Sequence, residues 1–283
     1  MTEDLRHFSI DCQLDYQLVG DTDFLFQVHV SPLGDQTLHE EWLEVTPDTA
    51  RWRIAVDPVT QQRRLRLRAG SGPLSLRYRA QVSVAPRLFP PTAMVDQANV
   101  TDLPDEVLAY LLPTRYCESD LLAHAAWKLF GALPPGEPRV RAIVDWVHEQ
   151  VEFLPGWSVS TTTARDVFVR RAGVCRDFTH LSIAFCRGLN IPARLVAGYA
   201  PFYDEEAPDF HAVLEAYVGG RWMLFDATRM SPLSDLVRIA DGPDAGDVAF
   251  CTIFGGARML RMSPTIEPVN GTLPPTSGFV RSL

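Results

Sequence analysis

The sequence predicts an α+β protein: a β-sandwich at the N-terminal end, then helices packed on an antiparallel sheet. Three observations carry this prediction. Between residues 8 and 84, apolar and polar side chains alternate in short runs broken by Gly, Pro, Asp and Ser, as in half-buried strands. From 104 to 189 the apolar positions recur at three- and four-residue steps, as in helices buried along one face. At 211–228 alternation returns as two runs joined by Gly219-Gly220, a hairpin signature.

The 283 residues suffice for two modest domains or one large one. The predicted division is a β-rich domain at 1–95, a core at 96–262 and an edge strand or tail at 263–283. The net charge of −9 argues against a nucleic-acid or anionic-membrane binder and mildly favours cationic partners such as lysine amines. The first residues lack the basic-then-apolar plan of an export signal, and no apolar run reaches the length of a membrane span. Five cysteines (12, 117, 175, 186 and 251), with no CxxC spacing, read as reduced thiols rather than a disulfide or zinc framework. A cytoplasmic protein without metal or cofactor is expected.

Taken in order, residues 8–18 alternate imperfectly and 24–30 cleanly, and 38–45, 51–56, 63–68 and 74–84 follow as further strands. In 63–68 leucines are expected inward and arginines outward. Six or seven strands at this spacing predict a small sandwich. The arginines at 51, 53, 63, 64, 66, 68, 77 and 79 are compatible with a nucleic-acid face. At this net charge, a solvated face balanced by acids elsewhere is the better reading. Residues 86–91 read as a proline-rich linker.

Helices are then predicted at 104–112, at 120–130 with Ser119 as cap, and at 139–151. The last carries a Val140, Ile143, Val144, Val147, Val151 stripe. His124 and His148 fall within them as ordinary helix histidines. Thr163 is the expected cap of a helix over 164–171. Asp204, Glu205, Glu206 and Asp209 lie in a predicted loop. Without EF-hand spacing they read as a solvated acidic loop rather than a calcium site. Residues 248–254 are expected to form a last strand.

The chemistry concentrates at Cys175. Ala172-Gly173 turns into a helix whose Phe178, Leu181, Ile183, Ala184, Phe185 and Leu189 are apolar, and which stops at Gly188-Leu189-Asn190. Cys175 therefore lies in the first turn, where the helix dipole and unpaired N–H groups favour thiolate over thiol, and Arg176 adds positive charge. A lone Cys is more often a small buried hydrophobe, the role expected of Cys186. The hairpin changes the balance. His211 lies eight positions before Gly219 and Asp226 six after Gly220, so the two meet near one end of the ladder. A carboxylate orienting an imidazole that takes a thiol proton is the arrangement of a nucleophilic triad. His180, five residues after Cys175, is turned roughly 140° away on the helix and reads as structural.

Gly173-Val174-Cys175-Arg176-Asp177-Phe178, the run from Gly188 to Tyr199, His211-Ala212 and Phe225-Asp226-Ala227-Thr228 together resemble the bacterial transglutaminase-like domain, a branch of the papain-like cysteine-enzyme superfamily. The resemblance spans roughly 100–260. It implies a papain-like core in which Cys175 is the nucleophile, His211 the general base and acid, and Asp226 the orienting acid. It also places oxyanion donors at the Cys175 backbone N–H and around Trp157-Ser158. The β-rich N-terminal region is similar to those that precede such cores. Two positions depart from the pattern: Val213 stands where the family often has Trp, and Ala227 where it often has Pro.

The function implied is acyl transfer from a peptide, isopeptide or glutamine-type amide through a thioester, with hydrolysis favoured over amine transfer. The expected partner is such an amide substrate. The alternatives are a true protein-glutamine transglutaminase, or a non-catalytic binding module on the same scaffold.

Overall fold

The computed structural model describes residues 5–86, 96–203 and 209–270. Part of the expected linker and the acidic run 204–206 lie outside these residues. Six strands come first: β1 (Arg6–Leu18), β2 (Thr22–Phe26), β3 (Gln36–Thr46), β4 (Arg51–Val56), β5 (Arg63–Ala69) and β6 (Gly72–Val84). In β1 every second residue from Phe8 to Leu18 is buried, the period that sequence alternation demands of a strand with one face in a core. Arg63 corrects the outward reading of its run. It shares the parity of Leu65 and Leu67, so it points inward and pairs with buried Glu41, which also accepts from Tyr78 Oη at 2.9 Å.

The helical part holds α1 (Ser119–Phe130), α2 (Glu137–Gln150), β7 (Glu152–Phe153), α3 (Ala164–Arg170), β8 (Ala172–Gly173) and α4 (Cys175–Gly188). The stretch near 104–112 is a 3-10 helix, Asp105–Leu111. Ser119 does not cap α1. It is a buried residue of the helix itself, and Glu118 occupies the cap position without a side-chain bond. Thr163 caps α3 in a reciprocal box with Asp166.

The chain continues through β9 (Ala193–Tyr199), β10 (His211–Val218), β11 (Arg221–Phe225), β12 (Val237–Gly242), α5 (Ala245–Val248), β13 (Cys251–Phe254) and β14 (Ala257–Pro268). The core sheet is ordered β11-β10-β9-β12, and the sandwich sheets β14-β1-β6-β3 and β13-β2-β5-β4. The last two strands thus return to the N-terminal layers, where β14 runs antiparallel along β1 from Phe8 to Leu18.

Helix α4 is buried from Asp177 to Gly188, on all sides rather than one, which makes it the axis of the core. One flank meets the aromatic cluster of Phe130, Trp146, Phe168 and Phe185. Another meets β10, where Thr179 Oγ1 donates to the Ala212 carbonyl at 2.9 Å. Arg187 closes the helix by donating to the carbonyls of Ala193, Leu112 and Pro243. Two further contacts fix sandwich to core: Tyr199 Oη donates to the Val28 carbonyl at 2.6 Å, and Gln36 exchanges two hydrogen bonds with the Arg238 backbone. No helix among the described residues is long and apolar enough to cross a membrane.

Candidate active site

Cys175 is the first residue of α4, after an extended Val174 (φ −115°). The approach is tightly held. Arg171 ends α3 in the left-handed region (φ 61°), and its guanidinium lies 4.5 Å from the Trp146 ring centre and 4.6 Å from that of Phe168. β8 then pairs in parallel with β7. Asp177, fully buried, folds back so that Oδ2 accepts from the Val174 N–H at 2.9 Å, which is half of a capping box. This fold-back explains Gly173. A Cβ there would lie 2.6 Å from the Asp177 Cβ, so no larger residue fits while Asp177 caps the helix.

The hairpin brings in the other two groups. Gly219 and Gly220 both have positive φ (59° and 74°), as a type I′ turn requires. The register runs from Val218↔Arg221 to Leu214↔Phe225. One further step pairs Val213 with Asp226, leaving His211 two residues beyond, on the same face. His211 Nε2 donates to Asp226 Oδ2 at 2.9 Å. The other carboxylate oxygen, Oδ1, accepts from Thr228 N–H at 2.8 Å and Thr228 Oγ1 at 2.7 Å. With Nε2 so engaged, the buried Nδ1 of His211, which has no other hydrogen-bond partner among the described residues, is left for the thiol of Cys175. The sulfur itself lies 3.9 Å from the Phe210 carbonyl oxygen.

Electrostatics follow from this geometry. Burial alone would depress the His211 imidazole, but hydrogen bonds to Asp226 and Cys175 outweigh it and raise the group to about 10. Burial opposes ionisation of Asp226, yet His211 and Thr228 hold it below the usual carboxylate range. The buried thiols of Cys12, Cys117 and Cys186 are pushed up to about 12, which keeps them protonated.

The segment at Trp157 and Ser158 stands beside the first turn of α4. Arg176 makes the link: it pairs with Asp177 Oδ1 at 3.0 Å and donates to the Val159 carbonyl at 2.9 Å and to Ser158 Oγ at 3.4 Å. The Trp157 backbone N–H is engaged by the Leu154 carbonyl at 3.2 Å. Tyr116 Oη holds the Ser160 carbonyl from the far side at 2.9 Å. Phe202 sets its ring against the edge of His211 at 5.1 Å.

His180 lies elsewhere. It stacks on Tyr116 at 5.3 Å, its Nε2 accepts from Ala245 N–H at 3.1 Å, and burial depresses it to about 4. His148 Nδ1 bonds the Ala227 carbonyl at 3.0 Å, just behind Asp226. Among the described residues, no three His, Cys, Asp or Glu side chains converge in a metal-like cluster. Sequence reasoning missed Tyr116, took Arg176 only as added positive charge, and took Thr228 only as part of the run at Asp226. The Asp226-Ala227-Thr228 spacing, suited to a side-chain-to-backbone turn, was the one local signal.

A thiol at a helix N-terminus, a buried imidazole and a carboxylate thus stand side by side. Comparison with known proteins gives the family. The family described as the transglutaminase-like superfamily matches residues 126–227. A candidate cysteine protease from Cytophaga hutchinsonii shares 38% sequence identity and superposes with a TM-score of 0.88, over 97% of this chain and 94% of that one. An uncharacterised protein of Mycobacterium leprae (strain TN) is 28% identical over 156 residues, 53% of this chain and 55% of its own length. The chain therefore spans only about half of that curated relative. The chain belongs to the transglutaminase-like superfamily, with the fold of a cysteine protease-like enzyme.

Proposed function

We propose that the protein is a cysteine-dependent acyl-transfer enzyme that opens an amide through a thioester on Cys175, with water as the preferred acceptor. The observation that carries this reading is the line Asp226–His211–Cys175. Nε2 of the imidazole is fixed at 2.9 Å on the carboxylate, and its buried Nδ1 is left to the thiol. In the resting site the Cys175 proton is held on Nδ1 as a thiolate–imidazolium pair, and Asp226 stabilises the imidazolium. The sulfur attacks the amide carbon, and the carbonyl electron pair moves to oxygen. The Cys175 backbone N–H, first in α4 and so without an intrahelical acceptor, is placed to receive that oxyanion. The Trp157–Ser158 segment supplies the second donor from Ser158, since the Trp157 N–H is already occupied.

His211 then returns its proton to the amide nitrogen as the C–N bond breaks, and an amine leaves. Water loses a proton to Nδ1 and attacks the thioester, the thiolate departs, and a carboxylic acid is released. A lysine amine in place of water yields an isopeptide, the transglutaminase outcome. Hydrolysis is preferred because the relative sharing nearly the whole chain is described as a candidate cysteine protease. The substrate is a peptide, isopeptide or glutamine-type amide.

The test is iodoacetamide labelling against pH, located by peptide mass, in wild type and His211→Ala. An ordinary thiol reacts mainly above pH ~8, whereas a His-paired thiolate reacts below pH ~6. Fast labelling of Cys175 at low pH, lost in His211→Ala, is expected. Slow labelling at low pH that the mutation leaves unchanged would overturn the triad. Incubation with glutamine peptides plus an amine, read by mass, separates the acceptors: amine incorporation outrunning hydrolysis reverses that preference.

A further inference from the structure

The arginines of the N-terminal strands divide into two groups. Arg6, Arg63, Arg77 and Arg79 have acid partners in Asp235, Glu41, Asp11 and Glu44. The others gather on the outer face of the sheet β13-β2-β5-β4. There Arg51 stands opposite Arg68, and Arg53 opposite Arg66. Arg68 is bonded to Asp21 and Asp23 at 3.0 and 3.1 Å. Arg51, Arg53 and Arg66 are exposed, and none has an ion pair among the described residues.

Side chains directly opposed in an antiparallel pair sit about 5 Å apart at Cβ, and like charges there cost stability. In a chain of net charge −9 this face is a local reversal of sign. A groove of about 660 Å³ lies on it, lined also by Arg68 with its partner Asp23 and by Leu25, Trp52 and Phe254, the last 56% exposed. β4 is the free edge of the sheet, so an extended chain can run beside it with alternate side chains over Arg51 and Arg53.

We propose that this face binds an acidic polypeptide segment, extended along β4, with carboxylates on Arg51, Arg53 and Arg66. Planar guanidinium groups match carboxylates in pairs. The apolar side chains of Leu25 and Phe254 beside them suit a polypeptide better than a phosphodiester backbone, and the negative charge of the whole chain repels a long polyanion at a distance. The proposal does not depend on the chemistry at Cys175.

The experiment is fluorescence anisotropy with a labelled peptide of alternating Glu and Val, alongside a Lys–Val peptide and an oligothymidylate of equal charge. Each is titrated with wild type, with Arg53→Glu/Arg66→Glu and with Arg53→Gln/Arg66→Gln, in both Cys175 and Cys175→Ala backgrounds. The Glu–Val peptide is expected to bind wild type. The charge reversal should weaken it about tenfold or more, and the glutamine pair by an intermediate factor. Raising salt from about 0.05 M to about 0.3 M should weaken wild-type binding, as the screening length shortens. Should the reversal variant lose its thermal transition, the glutamine pair decides. Equal binding of the Glu–Val and Lys–Val peptides, or unchanged affinity in the glutamine pair, overturns the proposal. Tighter binding of the oligothymidylate overturns it in favour of nucleic acid.

Discussion

Asp226 divides its two oxygens between two neighbours. Oδ2 serves His211, and Oδ1 is held by the backbone and hydroxyl of Thr228. Without the Thr228 hydroxyl the carboxylate gains a rotational freedom that loosens the imidazole. Thr228→Val is therefore expected to lower kcat about tenfold with little change in KM, and Thr228→Ser to restore it, measured by steady-state kinetics on a cleavable amide. The same cluster gives stability a pH dependence. His211 is raised from 6.5 to about 10 in the folded protein, so its contribution is complete below pH about 6.5 and is lost as pH climbs toward 10. Asp226 is lowered, so its contribution holds above its ordinary value of 3.8 and fades as pH falls through the depressed one. Calorimetry should show a thermal midpoint that declines between pH 7 and 10, and Asp226→Asn should flatten that decline. Cys175, His211 and Asp226 could be picked out from the sequence because each sits at a legible landmark: a helix start, a strand start and a strand end. Thr228 and Arg176 were legible only in part. Thr228 stood in the run around Asp226, but its hold on Oδ1 depends on a turn that residue types do not specify. Arg176 was legible as a positive charge, but its bonds to Ser158 and the Val159 carbonyl join segments distant in sequence.

Among the elements, the entry to α4 is the least tolerant. Because a Cβ on Gly173 would press on the Asp177 side chain at 2.6 Å, Gly173→Ala must dislodge the cap or shift the strand before it. A loss of about 2 kcal/mol is expected in urea denaturation, with slowed Cys175 labelling, whereas Gly220→Asn at the open hairpin tip should cost little. Regular alternation made β5, β6 and β10 legible in the sequence, and β1 was recognised in spite of imperfect alternation. An edge strand or tail was expected from 263; β14 is an edge strand that begins earlier, at Ala257, and carries Pro264 and Pro268, residues that a central strand excludes. They are accommodated because β14 lies at the edge of its sheet. β12 escaped notice for a different reason. Its Val237-Arg238-Ile239-Ala240-Asp241-Gly242 loses alternation where the ladder to β9 is irregular between Arg238 and Ala240. The 248–254 stretch was read as one strand. It is split between the end of α5 and the short strand β13, because Asp244 caps a helical turn at Gly246.

At the scale of the whole molecule, the sandwich is not built from the N-terminal residues alone. β13 and β14 complete one sheet each, and β14 covers β1 from Phe8 to Leu18. Truncation after residue 250 should expose that long edge, and the protein is expected in the insoluble fraction or as large species in size-exclusion chromatography. Removing residues 1–95 should have the same result for the opposite reason, since it strips both late strands of their partners. A stable, monomeric product from either truncation would contradict this account.

The partnership of β1 with β14 also has a bearing on biosynthesis. A ribosome delivers β1 first among these strands and β14 last, so once β6 is made β1 has a partner on one side and none on the other until β14 follows. The helices and sheet around Cys175 are complete in the nascent chain before that gap is filled. The thiol site is thus assembled while the sandwich still waits for its closing strand, and a chaperone that shields unpaired strand edges would find its target in β1.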